Sequence, residues 1–257
     1  MSPLLMLVIS ATPCELGTFP SIGFLDGGLG ESAPTCPTSA LSFGAGGHLL
    51  ADTDHFYGNV RAFGRLGGRY AVSDRAAVFA ELELIRWQTV ISSVSASHLG
   101  VGFLGVGGTF ALRKADTHRI SFVGRVVLPT AIGLYEEAVP FSGDVSGEYQ
   151  RTLGSGFGTH ARLGVLGSFV VSHGPAFPRA GLIAGLGMSW SFVSFMSAAV
   201  DVTSSFGYSD PVDHVAAALA LRLDFGSDDQ LELAAASPFA GAEREVVAAT
   251  LRYTHRM

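Results

Sequence analysis

From Ala40 onward the chain alternates apolar residues with polar residues or glycine, and the alternating stretches break at short polar turns. Successive side chains on a strand point to opposite faces, so a period of two gives each stretch two chemically different sides. The clearest stretch sets Val60, Ala62, Leu66, Tyr70 and Val72 against Asn59, Arg61, Arg65 and Arg69. After a compact turn at Val72–Arg75, the next sets Val78, Ala80, Leu82 and Leu84 against Phe79, Glu81 and Glu83. Arginines of one strand and glutamates of the next are thereby offered to a shared interior.

The same reading predicts a first strand at Leu41–Leu50, with Leu41, Phe43, Ala45 and Leu49 outward and Ser42, Gly44, Gly46 and His48 inward. Leu99–Leu112 is a fourth strand so rich in glycine that its parity stays open. A fifth sets Ile120, Phe122, Val126 and Leu128 against Arg119, Ser121 and Arg125, and stops at Pro129, which has no amide to give the ladder. Residues 131–152, with Glu136, Glu137, Pro140, Asp144 and Glu148, read as a long acidic extracellular loop. Strands follow at Phe157–Val171, Ala180–Phe192, Met196–Phe206, Val215–Phe225, Leu231–Ala236 and Val247–Tyr253. This makes eleven visible strands. Single-chain bacterial barrels use an even number, so a twelfth is expected between 131 and 180, with ten strands as the alternative.

Composition turns the pattern into a fold class. Charged residues are 15% of the chain, against roughly 25% in ordinary globular domains, glycines number 33, and mean hydropathy is +0.38. Yet outside the N-terminus no uncharged apolar run reaches the ~18 residues of a membrane helix. The other structure that satisfies its backbone in lipid is a closed barrel. An all-β, antiparallel up-and-down transmembrane barrel over residues 39–257 is therefore expected. The alternative is a secreted soluble β-barrel or sandwich binding protein, in which the apolar parity faces inward. A solvated polar face would carry many lysines, and Lys114 is the only one. A net charge of −6 without a basic run speaks against a nucleic-acid partner.

Residues 1–14 read as a signal peptide, its apolar part being Pro3–Ser10, although the usual basic start is missing and a buried apolar strand is the other reading. Residues 15–38, mixed Gly, Pro, Ser and Thr, are expected to be a flexible segment without a core. Pro13 before Cys14 is wrong for a lipid-anchoring box. Cys14 and Cys36 would instead be free to pair in an oxidising compartment, unless cleavage removes Cys14.

Gly68–Val78, with its strand, turn and strand, resembles the periplasmic hairpins of Gram-negative outer-membrane β-barrels, as do Leu223–Leu233 and the strand ending Arg125–Thr130. The resemblance is architectural, covers residues 40–253, and implies an outer-membrane location, insertion by the outer-membrane assembly machinery and contact with outer-membrane lipid. Such barrels finish on an aromatic residue; here Tyr253 is followed by four more residues. The turns at 72–75, 113–117 and 226–229 would be periplasmic.

The candidate lumen residues are Arg61, Arg65, Arg69, Arg119, Arg125, Arg162, Arg179, Arg222 and Arg252, set against Glu81, Glu83, Asp201, Asp224 and Glu232. This is a net basic lining. It fits a narrow porin-like pore for small, anionic solutes, since like charge in a narrow channel sets selectivity. It also fits mutually neutralising ion pairs that fill a closed structural barrel. Trp87, Trp190, Phe192, Phe195, Phe206, Tyr208, Phe225, Phe239 and Tyr253 fall at predicted strand ends, as interfacial aromatic girdles require. Outer-membrane enzymes acting on lipid or peptide place Ser, His and Asp at the rim, but His98, His160 and His214 sit in no Gly-x-Ser-x-Gly or His-Glu-x-x-His motif, so no catalysis is expected. No metal site or cofactor is read either. Arg162 beside His160 would repel a cation, and the glycines at 100–108 lack the helix that a phosphate loop needs.

Overall fold

The computed structural model describes residues 20–23, 28–31, 38–52, 57–91, 96–128, 130, 132, 139–154, 156–171, 177–207, 211–241 and 245–257. The signal segment, Cys14, Cys36 and Tyr208 lie outside them. A two-stranded antiparallel hairpin of β1 (Pro20–Gly23) and β2 (Gly28–Glu31) precedes a thirteen-stranded sheet. The sheet runs through β3 (Ala40–Asp52), β4 (Tyr57–Ala71), β5 (Ala76–Ile91), β6 (Ala96–Gly100), β7 (Leu104–Lys114), β8 (His118–Leu128) and β9 (Val139–Gly154). It continues through β10 (Phe157–Val171), β11 (Phe177–Val193), β12 (Met196–Phe206), β13 (His214–Phe225), β14 (Asp229–Ala240) and β15 (Glu245–Arg256).

All pairings are antiparallel, and the sheet closes where β15 pairs with β3. Strands β6 and β7 follow one another along β5, Arg86 facing Gly100 and Leu82 facing Leu104, so they occupy one position between them. The barrel thus has twelve staves. The glycine-rich stretch expected as one strand is split at Val101–Phe103, where Val101 bridges instead to Ile132. Opposite this split, Leu84 is an extra residue in β5: Gly64 faces Ile85 while Arg65 faces Glu83. Leu84 and Ile85 are both outward, 49% and 51% exposed, and the alternation resumes shifted by one.

The twelfth strand is β9, and it corrects the sequence reading. Residues 139–152 were expected inside an acidic loop; instead Ser142–Arg151 pair with β8, and the strand pairs with β10 from Val139 to Gly154. Ser142, Asp144, Ser146, Glu148 and Gln150 are buried on one parity, with Phe141, Val145 and Tyr149 exposed on the other. Its acidic residues look loop-like only until partner arginines are placed beside them.

The turns 72–75, 115–117, 194–195 and 226–228 and Gly156 lie at one end of the barrel together with the start of β3 and the end of β15. The ends of β3, β5, β8, β10, β12 and β14 and the starts of β4, β6, β9, β11, β13 and β15 lie at the other. Within 15–38, where no core was expected, the hairpin approaches the wall of β12, β13, β15 and β3. The inward Ala216, Ala218, Ala236 and Ala248 of that wall are at most 3% exposed, while outward Leu219, Leu233 and Val247 on the same strands are exposed. The cover therefore sits on the inner face.

Candidate functional site in the barrel lumen

Most of the lumen is polar, and its charges are gathered into ion-paired groups. Arg65 donates through Nε and Nη2 to Glu83 Oε1 at 3.1 and 2.7 Å, and through Nη1 to Glu81 Oε1 at 3.3 Å. Arg86 Nη2 meets the other oxygen of Glu83 at 2.6 Å. The alternation read from sequence omitted Arg86, because the Leu84 bulge shifts it onto the inner parity; the apolar doublet Leu84–Ile85 was the available signal. Both arginines lie over inward aromatic rings, Arg65 over Phe63 and Arg86 over Phe103, with guanidinium carbons 4.2 and 4.8 Å from the ring centres.

A second group joins three strands. Asp144 takes Arg125 Nε at 3.2 Å and Arg162 Nη2 at 2.8 Å, while Arg162 Nε donates to Ser146 Oγ at 2.9 Å and lies 3.8 Å from Glu148. Beside it, His160 Nε2 lies 3.2 Å from Asp201 Oδ2. Their strands are not neighbours: His160 faces Gly187 on β11, and Gly187 faces Asp201 on β12. The imidazole crosses the space a side chain at Gly187 would fill, since a Cβ there would lie 2.7 Å from His160 Nε2 and 2.8 Å from Val200 O.

In a third group Glu232 bridges two arginines, taking Arg222 at 2.8 Å and Arg252 at 2.7 Å. Asp224 accepts from Gln230 at 2.9 Å and lies 3.7 Å from Arg256 near the short-turn end. Arg69 differs from its expected place in the lining: at the same end it donates to the carbonyl and hydroxyl of Thr38, clamping the chain as it enters β3. Arg119 is fully buried with Nε on Ser121 Oγ at 3.1 Å, and Arg61 faces His48 on β3 and Gln88 on β5.

Two lumen spaces meet at the Arg65–Glu81 contact. One is lined by Ser42, Gly44, Phe63, Arg65, Glu81, Glu232, Thr250 and Arg252. The other is lined by Arg65, Phe79, Glu81, Glu83, Phe103, Gly105, Arg125 and Val127. Among the described residues no group of three or more His, Cys, Asp and Glu is placed to hold a metal.

The outer face is apolar. Leu163, Val165, Leu182, Leu186, Leu219 and Leu233 are each more than half exposed. Aromatics mark both ends of that face. Phe157, Trp190, Phe192, Phe195, Phe225 and Tyr253 cluster toward the short turns, with Trp190 stacked on Phe157 at 5.5 Å and edge-on to Phe192 at 4.3 Å. Trp87, Phe206 and Phe239 lie toward the opposite end.

A closed antiparallel twelve-stave barrel, apolar outside and charged inside, has the fold of outer-membrane β-barrels. Among solved structures the chain is similar to the COG4313 outer membrane channel from Pseudomonas putida F1, at 14% identity and TM-score 0.63, covering 86% of this chain and 96% of that one. It is similar also to the KdgM porin in complex with disordered oligogalacturonate, at 8% identity and TM-score 0.56, covering 85% and 99%. The transport unit of the autotransporter AIDA-I from Escherichia coli matches at 11% identity and TM-score 0.58, covering 86% and 90%. No family model and no curated relative matches the sequence.

Proposed function

We propose that this protein is an outer-membrane channel that passes small solutes, anions in preference to cations, through a narrow charge-lined lumen. The observation that carries the reading is the inversion of the fold: exposed leucines and valines cover the outside, and arginines line an interior that holds two adjoining spaces. Water does not tolerate so large an apolar surface, whereas lipid requires it. Within the three ion-paired groups of the lumen, Arg65, Arg86, Arg125, Arg162, Arg222 and Arg252 face Glu81, Glu83, Asp144, Glu148 and Glu232, an arginine-rich lining that favours anions. The likeness to a channel and a porin, one of them bound to an acidic oligosaccharide, supports the reading. On it, the shorter connections face the periplasm, lipid and the assembly machinery are the partners, and the lumen does no chemistry.

Two measurements test it. The folded chain should migrate faster on a gel before boiling than after, and planar bilayers containing it should conduct with a reversal potential shifted toward that of chloride. A soluble chain without a heat shift, or bilayers without current, would refute the channel.

A further inference from the structure

Of the arginines on the described strands, Arg113 and Arg151 alone face outward, and they lie on the two strands that flank β8. Simple alternation from the buried Ala111 would send Arg113 inward. A bulge at Leu112 turns it instead, so that Arg113 faces the outward Ile120 while Leu112 is itself outward and half exposed. Ile120 in turn faces Tyr149, and two residues along, His118 faces Arg151. Directly opposed residues on one face of a sheet have Cβ atoms roughly 5 Å apart and diagonal ones roughly 7–8 Å, so Arg113, His118, Tyr149 and Arg151 surround one spot near the short turns.

Nothing in the protein neutralises that spot. Among the described residues no hydrogen bond or ion pair engages the side chain of Arg113, His118, Tyr149 or Arg151, and Asp116 in the adjoining turn pairs with neither arginine. On β7, β8, β9 and β10 the carboxylates, Asp144 and Glu148, face inward. The surface around the spot is apolar, with Phe110, Leu112, Phe122 and Leu153 on the same strands 48–56% exposed.

We infer that this spot binds the phosphate of a net-negative phospholipid in the leaflet at the short-turn end, with the acyl chains lying along the apolar strip. Guanidinium groups match phosphate oxygens two at a time, and the Tyr149 hydroxyl adds a donor. A free phosphate would satisfy the charge alone, whereas a lipid satisfies the charge and the strip together. In a zwitterionic lipid the ammonium travels with the phosphate and cancels the attraction, so a net-negative headgroup is preferred. The site rests on the membrane reading and is independent of conduction.

The test presents both headgroups at once. Full-length chain folded in detergent is mixed with equal amounts of phosphatidylglycerol and phosphatidylethanolamine of the same acyl chains, retained lipid is read by native mass spectrometry, and heat-shifted gel mobility is checked on every sample. Wild type should retain phosphatidylglycerol in preference. Arg113→Gln and Arg151→Gln should each lower that preference about fivefold, the effect of one arginine at an anionic membrane surface, and either serves if the other does not fold. Arg151→Lys, which keeps the charge and loses the fork, should fall between. Equal retention of the two lipids by heat-shifted wild type, or variants that retain phosphatidylglycerol as wild type does, overturns the site and leaves the barrel in its membrane. A chain without a heat shift overturns the membrane reading and the site with it. A dimer that the glutamine variants dissolve would assign the arginines to a second copy of the chain and overturn the lipid site.

Discussion

At the scale of single residues, the lumen is organised by where side chains are missing as much as by where they are charged. Gly185 and Gly187 both face inward on β11, yet only Gly187 has a neighbour's ring across it. A Cβ on Gly185 would meet Thr203 and Arg162 at ordinary distances of 3.5 and 3.7 Å. Gly187→Ala should therefore push His160 away from Asp201 and lower the urea midpoint of the folded barrel, while Gly185→Ala leaves it unchanged or slightly raised, because glycine is the less stable residue in a strand by roughly 0.5–1 kcal/mol. Equal effects at the two positions would contradict the crossing imidazole. In the sequence these glycines differ in nothing; only the register on either side of β11 separates them.

At the scale of elements, the parity of most strands was readable because one bulky apolar face repeats every second residue. The inward placement of Arg61, Arg65, Glu81, Glu83, Arg119, Arg125, Arg162, Asp201, Arg222, Asp224, Glu232 and Arg252 follows from that alone. Two features escaped it. The Leu84 bulge carries Arg86 and Trp87 onto opposite faces from those that simple alternation gives, and β9 resembles a loop because its outward parity includes Gly143, Gly147 and Arg151. The strand assignment of β9 makes its own prediction. In proteoliposomes a membrane-impermeant maleimide should spare Val145→Cys, which faces outward, and Ser146→Cys, which is packed beside Arg162. An extracellular loop would leave both open to the reagent, and labelling at both would restore the loop.

For the whole molecule, the sign of the solvent outside decides what the apolar belt means. Leu219 is 60% exposed on the outer face of β13. In a membrane, Leu219→Arg places a guanidinium in hydrocarbon and should cost about 2–4 kcal/mol if it lies near the midplane. The cost would be measured as loss of folding into lipid vesicles. On a water-soluble barrel the same change at so exposed a position would be nearly neutral. Inside, the three ion-pair groups fix neighbouring strands to one another in a setting where a lone charge is costly and a paired one is tolerated. Glu83 between Arg65 and Arg86, Asp144 between Arg125 and Arg162, and Glu232 between Arg222 and Arg252 share this form, with one carboxylate serving two guanidinium groups.

The sequence by itself determined which face of most strands is apolar, and that the chain closes into a barrel rather than leaving open sheet edges. A period of two is a local property of the chain, so it needs no partner strand to be read. Which charges meet was decided only by the tertiary structure, because an ion pair between strands depends on register, and register is set by bulges, turns and closure. Arg252 and Arg65 are far apart in the chain and become neighbours across Gly44 only when β15 pairs with β3 and shuts the barrel. Their adjacency is a property of that closure.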